Sequence, residues 1–445
     1  MSRGVNDRSS SVSPRGPVFL SYRHSDGVDL ATALAWALRA SGVPVWLDKS
    51  DLPPGDTERR LEEAMQSGLS GAVLLVTPDI AASSVVKEVE LPHLLRLEAE
   101  GAFTLSIAST IEAETGGLDY SAPDRLLSRT ESDLRTLRQD AALTSKDIAN
   151  IARSHCRQRM EALRADIKSN GRVIDINLQT RIVPSAIGPY GDLIVRLRPP
   201  TPGDRRPHRQ GLEDLGLFLS DLPHLLEIAG ARHARISGGA HLSVAFALGA
   251  ALPTTLIGDV DAVDTAGHAW SNSGNAPAPR TSTRLLQVMD RSPCHAPAGD
   301  AVVYLDLLPT RSDPAFDRFV EALPGRLACV FHIRPVAGGN LLPEDAGALV
   351  AEASHAIRQA ASRSETSEVH VLLRCPWTVA LLLGRTLNTI RVSLYEWEDG
   401  PDDYDSLVAP RYLPSLVVRS GAGGSPIERV VMPMRQEPRI IDRKM

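Results

Sequence analysis

Two acidic residues, Glu88 and Glu90, close the run Ser83-Ser84-Val85-Val86-Lys87-Glu88-Val89-Glu90, which follows the apolar stretch Leu74-Leu75-Val76-Thr77. Two residues apart on a helix is about 200° around its axis, so only one carboxylate can face a pocket. A carboxylate beside a sugar can stabilise oxocarbenium-like charge and control the ring hydroxyls. The ordinary alternative is that both are solvated helix charges. A second chemistry lies further along, where Gly238-Gly239-Ala240-His241 and Arg374-Cys375-Pro376-Trp377 each join an apolar run to a helical stretch. A strand entering such a connector and then a helix presents free backbone N–H groups and a positive dipole end, which suits phosphate. Tyr395 and Trp397 follow the last core strand and can stack on bases or pack in the core.

These side chains need elements to hold them. Pro17–Ser21 reads as a buried strand, followed by a turn at Ser25-Asp26-Gly27 and an amphipathic helix over Val28–Ala40. The pattern predicts further strands over 43–47, 72–77 and 103–107, with helices over 57–67 and 84–97 between them. Alternating strands and helices imply a parallel sheet covered on both faces. The site of such a sheet lies at the carboxyl ends of its strands, where Arg23, Asp48 and the loop after Thr77 gather. Residues 110–168 read as helical and charged, ending in a long helix over 145–167. Past Gly171, alternation at Ile174, Ile176 and Leu178, and at Leu193, Val195 and Leu197, predicts strands. Pro-rich loops fall at 199–207 and 276–279, and 430–445 reads as a frayed tail.

The second half repeats itself. Val244-Ala245-Phe246-Ala247-Leu248-Gly249-Ala250-Ala251-Leu252-Pro253-Thr254 aligns with Val379-Ala380-Leu381-Leu382-Leu383-Gly384-Arg385-Thr386-Leu387-Asn388-Thr389. Each copy follows a strand (234–237 or 369–373) and precedes another (255–257 or 390–394), which suggests two related α/β lobes packed as a pseudo-dimer. A recurrent helix core is the plainer explanation, and the matching flanks favour duplication.

Composition narrows the classes. A chain of 445 residues implies two or three domains, and 43% hydrophobic with 23% charged residues suits packed soluble domains. A net charge of −6 is no footprint for long nucleic acid. Cys156, Cys294, Cys329 and Cys375 are widely spaced, suggesting neither a disulfide framework nor a zinc site, and a reducing cytoplasm fits. The polar N-terminus lacks an apolar signal core, and no apolar run approaches the roughly 18–20 residues that span a bilayer.

Two resemblances join these observations. Val18-Phe19-Leu20-Ser21-Tyr22-Arg23, Val45-Trp46-Leu47-Asp48, Leu52-Pro53-Pro54-Gly55, Leu74–Thr77 and Ser83–Glu90 together resemble a TIR domain over residues 15–165. The resemblance implies a flavodoxin-like parallel sheet and cleavage of NAD, with nicotinamide released and a glutamate after the third strand as the essential group. The family pattern is Ser-x-Trp-x-x-x-Glu, and this chain lacks the tryptophan; four back from Glu88 is Ser84, and four back from Glu90 is Val86. Glu88 is favoured, because Glu88-Val89-Glu90-Leu91 resembles the continuation in bacterial relatives, and Glu90 is the rival register. Pro92 removes the amide partner of the Glu88 carbonyl, so a bend is expected there. Arg23, Trp46, Asp48 and Ser84 make up the implied NAD-binding set. Arg23 can hold the NAD phosphates or be a strand-end ion pair, and Asp48 can be a ligand or a loop cap. Leu52–Gly55 resembles the BB loop, which implies contact between TIR domains and a composite active site.

The stretches His241–Gly249, Trp377–Gly384 and Val392-Ser393-Leu394-Tyr395-Glu396 resemble a SAVED domain, the sensor of bacterial cyclic-oligonucleotide antiphage systems, built of two fused CARF-like Rossmann-type lobes. It implies that Gly238, Gly239, His241, Arg374, Trp377, Tyr395 and Trp397 bind a cyclic di- or trinucleotide. The expected chain is a cytoplasmic TIR-SAVED effector: a flexible stretch 1–14, a TIR domain with connector helix 15–168, a SAVED domain 172–435 and a tail 436–445. NAD+ is the expected substrate and cyclic tri-adenylate, made by a partner nucleotidyltransferase, the expected activator. Self-association into an oligomer or filament would complete the site, with no tightly bound cofactor, metal or membrane. The rival class is a non-catalytic TIR adapter; a constitutively active enzyme on a non-sensing scaffold is the third reading.

Overall fold

The computed structural model describes residues 12–47, 68–101, 103–130, 133–181, 191–200, 204–272, 284–293, 299–310, 312–323, 327–337, 341–366, 368–387, 389–398, 410–419, 421 and 424–432. Asp48, the Leu52–Gly55 segment, the helix expected over 57–67, the 276–279 loop, Cys294 and the tail beyond Met432 lie outside these. The chain divides into two compact units, one of residues 1–197 with 221–238, the other of 198–220 with 239–445.

The first unit opens with β1 (Val18–Ser21), α1 (Val28–Ala40), β2 (Val45–Trp46) and β3 (Gly71–Val76). A 3-10 turn (Pro78–Ala82), a π-helical turn (Val86–Glu90), α2 (Leu91–Ala99) and β4 (Thr104–Ser109) follow. After α3 (Ala122–Leu126) comes β5 (Arg138–Ala141), and the five strands pair in the order β2-β1-β3-β4-β5, every pair parallel. All six residues of β3 are buried, as expected for a central strand covered on both faces. Two apolar clusters flank it: one holds Phe19, Leu94, Leu97 and Phe103, the other Ile80, Val86, Leu91 and Ile107.

The expectation that 110–168 is helical throughout is corrected by β5. Its residues Arg-Gln-Asp-Ala carry no apolar pattern because an edge strand pairs on one side only and stays half exposed. Beyond it α4 (Ser145–Ser169) begins at a capping box in which the Asp147 amide donates to Thr144 Oγ1 (3.2 Å) and the Thr144 amide donates to Asp147 Oδ2 (2.9 Å). Its buried face runs Ile151, His155, Arg159, Leu163, Ile167 at helical spacing. The parallel pair β6 (Val173–Gln179) and β7 (Leu193–Arg196), with β8 (His233–Gly239) on the far side of β6, completes the unit.

The second unit takes the start of α5 (Arg209–Ala229), then α6 (Leu242–Ala250) and the antiparallel pair β9 (Asp259–Val263) and β10 (Ala269–Ser271). The strand expected over Thr255–Ile257 is a turn instead, and the strand starts at Asp259, because Pro253 supplies its carbonyl to the amides of Leu256 and Ile257. The larger sheet is β11 (Leu286–Asp290), β12 (Asp300–Asp306), β13 (Leu327–Pro335), β14 (Glu368–Arg374), β15 (Arg391–Glu398), β16 (Arg411–Arg419) and β17 (Ile427–Val430). Their order is β11-β13-β12-β14-β15-β16-β17, parallel from β13 to β15 and antiparallel at both edges. The chain passes from β12 to β13 through α7 (Asp313–Ala322), and from β13 across to β14 through α8 (Ala346–Arg363), so β12 is a switch point.

The sequence repeat is a packing contact. A Cβ on Gly249 of α6 would stand 1.9 Å from the carbonyl oxygen of Leu381, and one on Gly384 of α9 (Trp377–Thr386) would stand 2.1 Å from that of Phe246. Gly249 aligns with Gly384 and Phe246 with Leu381, so each copy lays its glycine against the same position of the other. That reciprocity is what a pseudo-twofold requires, and a chance helix core has no reason to produce it.

Candidate functional site

In the first unit the strand ends bring together the residues that could do chemistry. Ser21, the last residue of β1, is 1% exposed and its hydroxyl donates to Glu90 Oε2 at 2.6 Å. Glu90 is itself 9% exposed, while Glu88 and Ser84 are exposed. Val86, four residues before Glu90, is buried among Ile80, Leu91 and Ile107. An apolar side chain therefore fills the core position that the tryptophan of the Ser-x-Trp-x-x-x-Glu pattern would take in the Glu90 register.

The backbone explains how Glu90 comes to point inward. Pro92 has no N–H for the Glu88 carbonyl, so the regular ladder is broken there and slips by one residue. The Leu91 amide bonds to the Val86 carbonyl, five residues back, and 86–90 form a π turn. Such a turn breaks the simple phase by which sequence reasoning compared the two glutamates.

The loops around this carboxylate are pinned. Asp26 accepts from Thr77 Oγ1 (2.7 Å) and from the Asp79 amide (2.8 Å), and Ser25 Oγ donates to Asp79 Oδ2 (2.6 Å). Arg23, half buried, donates from Nη1 to the Ala82 carbonyl (3.1 Å), joining the end of β1 to the 3-10 turn. Trp46 packs part-buried against the cluster of Phe19 and Leu94. Sequence reasoning gave no role to Ser21 or Asp26; a serine and an aspartate just after an apolar run at a strand end were the signal available.

In the second unit the expected phosphate mouths differ. His241, 1% exposed, precedes α6 and donates from Nε2 to the Arg205 carbonyl (2.7 Å). The N-terminus of α6 holds an internal anion: Glu396 Oε1 accepts from the Ser243 amide (2.9 Å) and from Ser243 Oγ (2.6 Å). Ser243 Oγ also meets Ser415 Oγ at 3.0 Å, and all three residues are buried. A carboxylate in that position satisfies one first-turn amide and offsets the dipole, the part a ligand phosphate is expected to play from the sequence. Glu396 was quoted in the sequence only as part of a closing motif. Gly238 serves close packing: its φ is +115° and a Cβ would stand 2.2 Å from the Leu178 carbonyl oxygen. Gly239 is buried at the end of β8.

The α9 mouth is built differently. Arg374, half buried at the end of β14, donates from Nη1 to Asp306 Oδ1 (2.7 Å) and from Nη2 to Thr310 Oγ1 (2.7 Å). Among the described residues, Trp377 Nε1 and Thr378 Oγ1 at the start of α9 are buried polar atoms without a hydrogen-bond partner. Tyr395 is 9% exposed, its hydroxyl 2.7 Å from His370 Nδ1 and its ring edge-on to Phe319 at 4.7 Å. Trp397 stands edge-on to Tyr412 at 5.4 Å. Both aromatics thus pack in the cluster of Phe316 and Phe319, the core alternative to base stacking.

Asp306, Asp313 and His332 bring ligand-type atoms within 4.8 Å of one another. Arg334 Nε stands 3.3 Å from Asp306 and its Nη2 meets Asp313, while Arg374 holds the other oxygen of Asp306. Burial pushes the Asp306 carboxyl up, and the His332 ring at 3.6 Å, with the Arg374 and Arg334 guanidinium groups, nevertheless keeps it below the usual carboxylate range. Two guanidinium groups already supply the positive charge that a metal would bring. No helix among the described residues is long and apolar enough to cross a membrane.

Comparison with known proteins finds two family matches. The family description "TIR domain" matches residues 18–108, and "SMODS-associated and fused to various effectors sensor domain" (SAVED) matches 222–409. The chain is 37% identical over 89 residues to the NAD(+) hydrolase PdTIR of Paracoccus denitrificans (strain Pd 1222), covering 20% of this chain and 29% of that one. It therefore spans less than a third of the curated relative's length. Solved structures of the Acinetobacter baumannii Cap4 SAVED/CARF-domain containing receptor, with the cyclic trinucleotides 3'3'3'-cAAA and 2'3'3'-cAAA, align at a TM-score of 0.44 and 14% identity, over 88% of this chain and 97% of theirs. A likeness that distant carries no argument about the site.

Proposed function

We propose that this chain, with a TIR domain at 18–108 and a SAVED domain at 222–409, is an antiphage effector that hydrolyses NAD+ when a cyclic oligonucleotide binds. The observation that carries the reading is the buried Glu90 at the carboxyl end of β1, held by Ser21, in a domain similar to an NAD(+) hydrolase. Glu90 is the proposed catalytic carboxylate, and Glu88, exposed beside it, is outside the chemistry.

The reaction asks little of the protein. Nicotinamide leaves as a neutral molecule, taking the electrons of its bond to ribose C1′, so no general acid is required. The sugar is left with oxocarbenium-like charge, which the Glu90 carboxylate stabilises from close range. Water adds at C1′, giving ADP-ribose and a proton. Arg23 at the same strand end is the proposed partner of the NAD phosphates, and Ser84, exposed, is a further proposed NAD contact.

On this reading the SAVED domain (proposed span 172–435) is the sensor, and Arg374 and Trp377 are its foremost candidates for ligand contact. Cyclic tri-adenylate from a partner nucleotidyltransferase is the first activator to try, by family analogy. Ligand-driven stacking of protomers would bring TIR domains (proposed span 15–168) together and complete a composite site. The adapter reading keeps one observation in its favour, Val86 in the place of the family's tryptophan. Purified protein incubated with NAD+, with and without a panel of cyclic di- and trinucleotides, separates the readings by nicotinamide release. Release only with ligand is expected; none with any ligand supports the adapter, and equal release without ligand removes the gating.

A further inference from the structure

We infer that Ser21 is the positioning residue of the proposed NAD+ cleavage, acting through Glu90; the inference rests on the reading of Glu90 as the reacting carboxylate. The two groups are 69 positions apart in sequence, on different elements, and they meet at 2.6 Å with Ser21 1% and Glu90 9% exposed. A hydroxyl-to-carboxylate bond this short is a charge-assisted one, about twice as strong as a bond between neutral groups. It lies where the carboxylate most needs an anchor. Glu90 ends a π turn, in which the helical ladder is displaced by one residue and the side chain leaves its regular α-helical phase.

β1 supplies what the turn lacks. It is paired on both sides, Ser21 with Leu74 of β3 and Val18 and Phe19 with β2, so Ser21 Oγ is fixed by the sheet rather than by the helix it serves. Holding Oε2 restricts the rotation of the carboxylate. Pre-orientation of this kind lowers the barrier without adding to substrate affinity, because the substrate never touches the serine. The residue type follows from the chemistry. Alanine would fill the same buried space with nothing to donate, and cysteine donates weakly. Threonine keeps the hydroxyl at the cost of one methyl group in a packed site.

The test is steady-state nicotinamide release by the full chain with cyclic tri-adenylate added, comparing wild type, Ser21→Ala, Ser21→Cys, Ser21→Thr and Glu90→Gln. Ser21→Ala is expected to lower kcat about tenfold to a hundredfold with the KM for NAD+ within about twofold, as loss of one charge-assisted bond predicts. Turnover should rise from alanine through cysteine to threonine. Unfolding in urea of Ser21→Ala, Glu90→Gln and the double variant gives a second readout: the pair should be non-additive. Ser21→Ala within about twofold of wild type in kcat, with Glu90→Gln inactive, overturns the positioning role and leaves Glu90 standing. A drop confined to KM, or threonine no better than alanine in a folded protein, also overturns it. An active Glu90→Gln sinks the underlying reading itself.

Discussion

Two buried glutamates, Glu90 in the first unit and Glu396 in the second, each accept a hydrogen bond from a serine hydroxyl at 2.6 Å, yet they serve different ends. Glu396 also takes the Ser243 amide and sits inside a closed helix mouth, with Ser415 on the same hydroxyl. Its negative charge serves the fold: it satisfies the Ser243 amide and opposes the dipole of α6. Glu90 stands instead at the carboxyl ends of parallel strands, on a distorted turn, bonded to the last residue of β1. On the proposed reading the same pair of residue types is structural where it closes a helix and chemical where it stands at the carboxyl ends of a parallel sheet's strands. Burial and hydrogen bonding alone do not distinguish them; the topological position does.

The comparison breaks most directly by exchange of the charges. Glu90→Gln is expected to cut nicotinamide release by at least about a hundredfold while the melting temperature moves by no more than about 3 °C. Glu396→Ala should do the reverse in kind, leaving the Ser243 amide buried without its acceptor and costing about 2–4 kcal/mol in urea unfolding. If Glu396→Ala were neutral in stability, the assignment of Glu396 to the fold would fail. Next in size, Gly249→Ala and Gly384→Ala should each cost about 1–3 kcal/mol, and the double variant less than their sum, because both open one helix contact.

Acid sharpens the same contrast. His155, on the buried face of α4 with its Nε2 2.8 Å from Ser106 Oγ, is pushed down to about 4 by burial, with Arg138 adding to the effect. Its folded pKa lies below the ordinary value of 6.5, so the stability it contributes is present above pH 6.5 and is lost as pH falls toward about 4. Melting temperature followed over that window should fall in wild type and fall less in His155→Gln. Activity lost in that window belongs to unfolding of the first unit unless His155→Gln also loses it. Smallest of all, Glu88→Gln should leave turnover within about twofold, since its exposed side chain is solvated; a larger loss would return the chemistry to Glu88.

Much of the first unit was legible. Its strands and α1 follow from apolar runs and from turn signals such as Ser25-Asp26-Gly27, which depend on local sequence only. β5 was not legible, because Arg138–Ala141 acquires its conformation from pairing with β4 rather than from its own residues. Tyr395 and Trp397 were read as open to either stacking or packing, and neighbours far away in sequence, Phe319 and Tyr412, fill their edges.

The sequence by itself determined the two-part organisation, the parallel α/β architecture of the N-terminal domain and the duplication of Val244–Thr254 at 379–389, because periodicity and self-similarity are written locally. It also narrowed the chemistry to two carboxylates. Which of them faces inward was decided only in three dimensions. The helix phase is reset by a π turn ahead of Pro92, and Ser21, 69 positions earlier, supplies the bond that holds Glu90. The same holds for the two phosphate-type mouths, one of which receives Glu396 from a strand more than 150 residues away. Contacts of that length cannot be read from spacing, since they depend on which strand ends the folded sheet brings side by side.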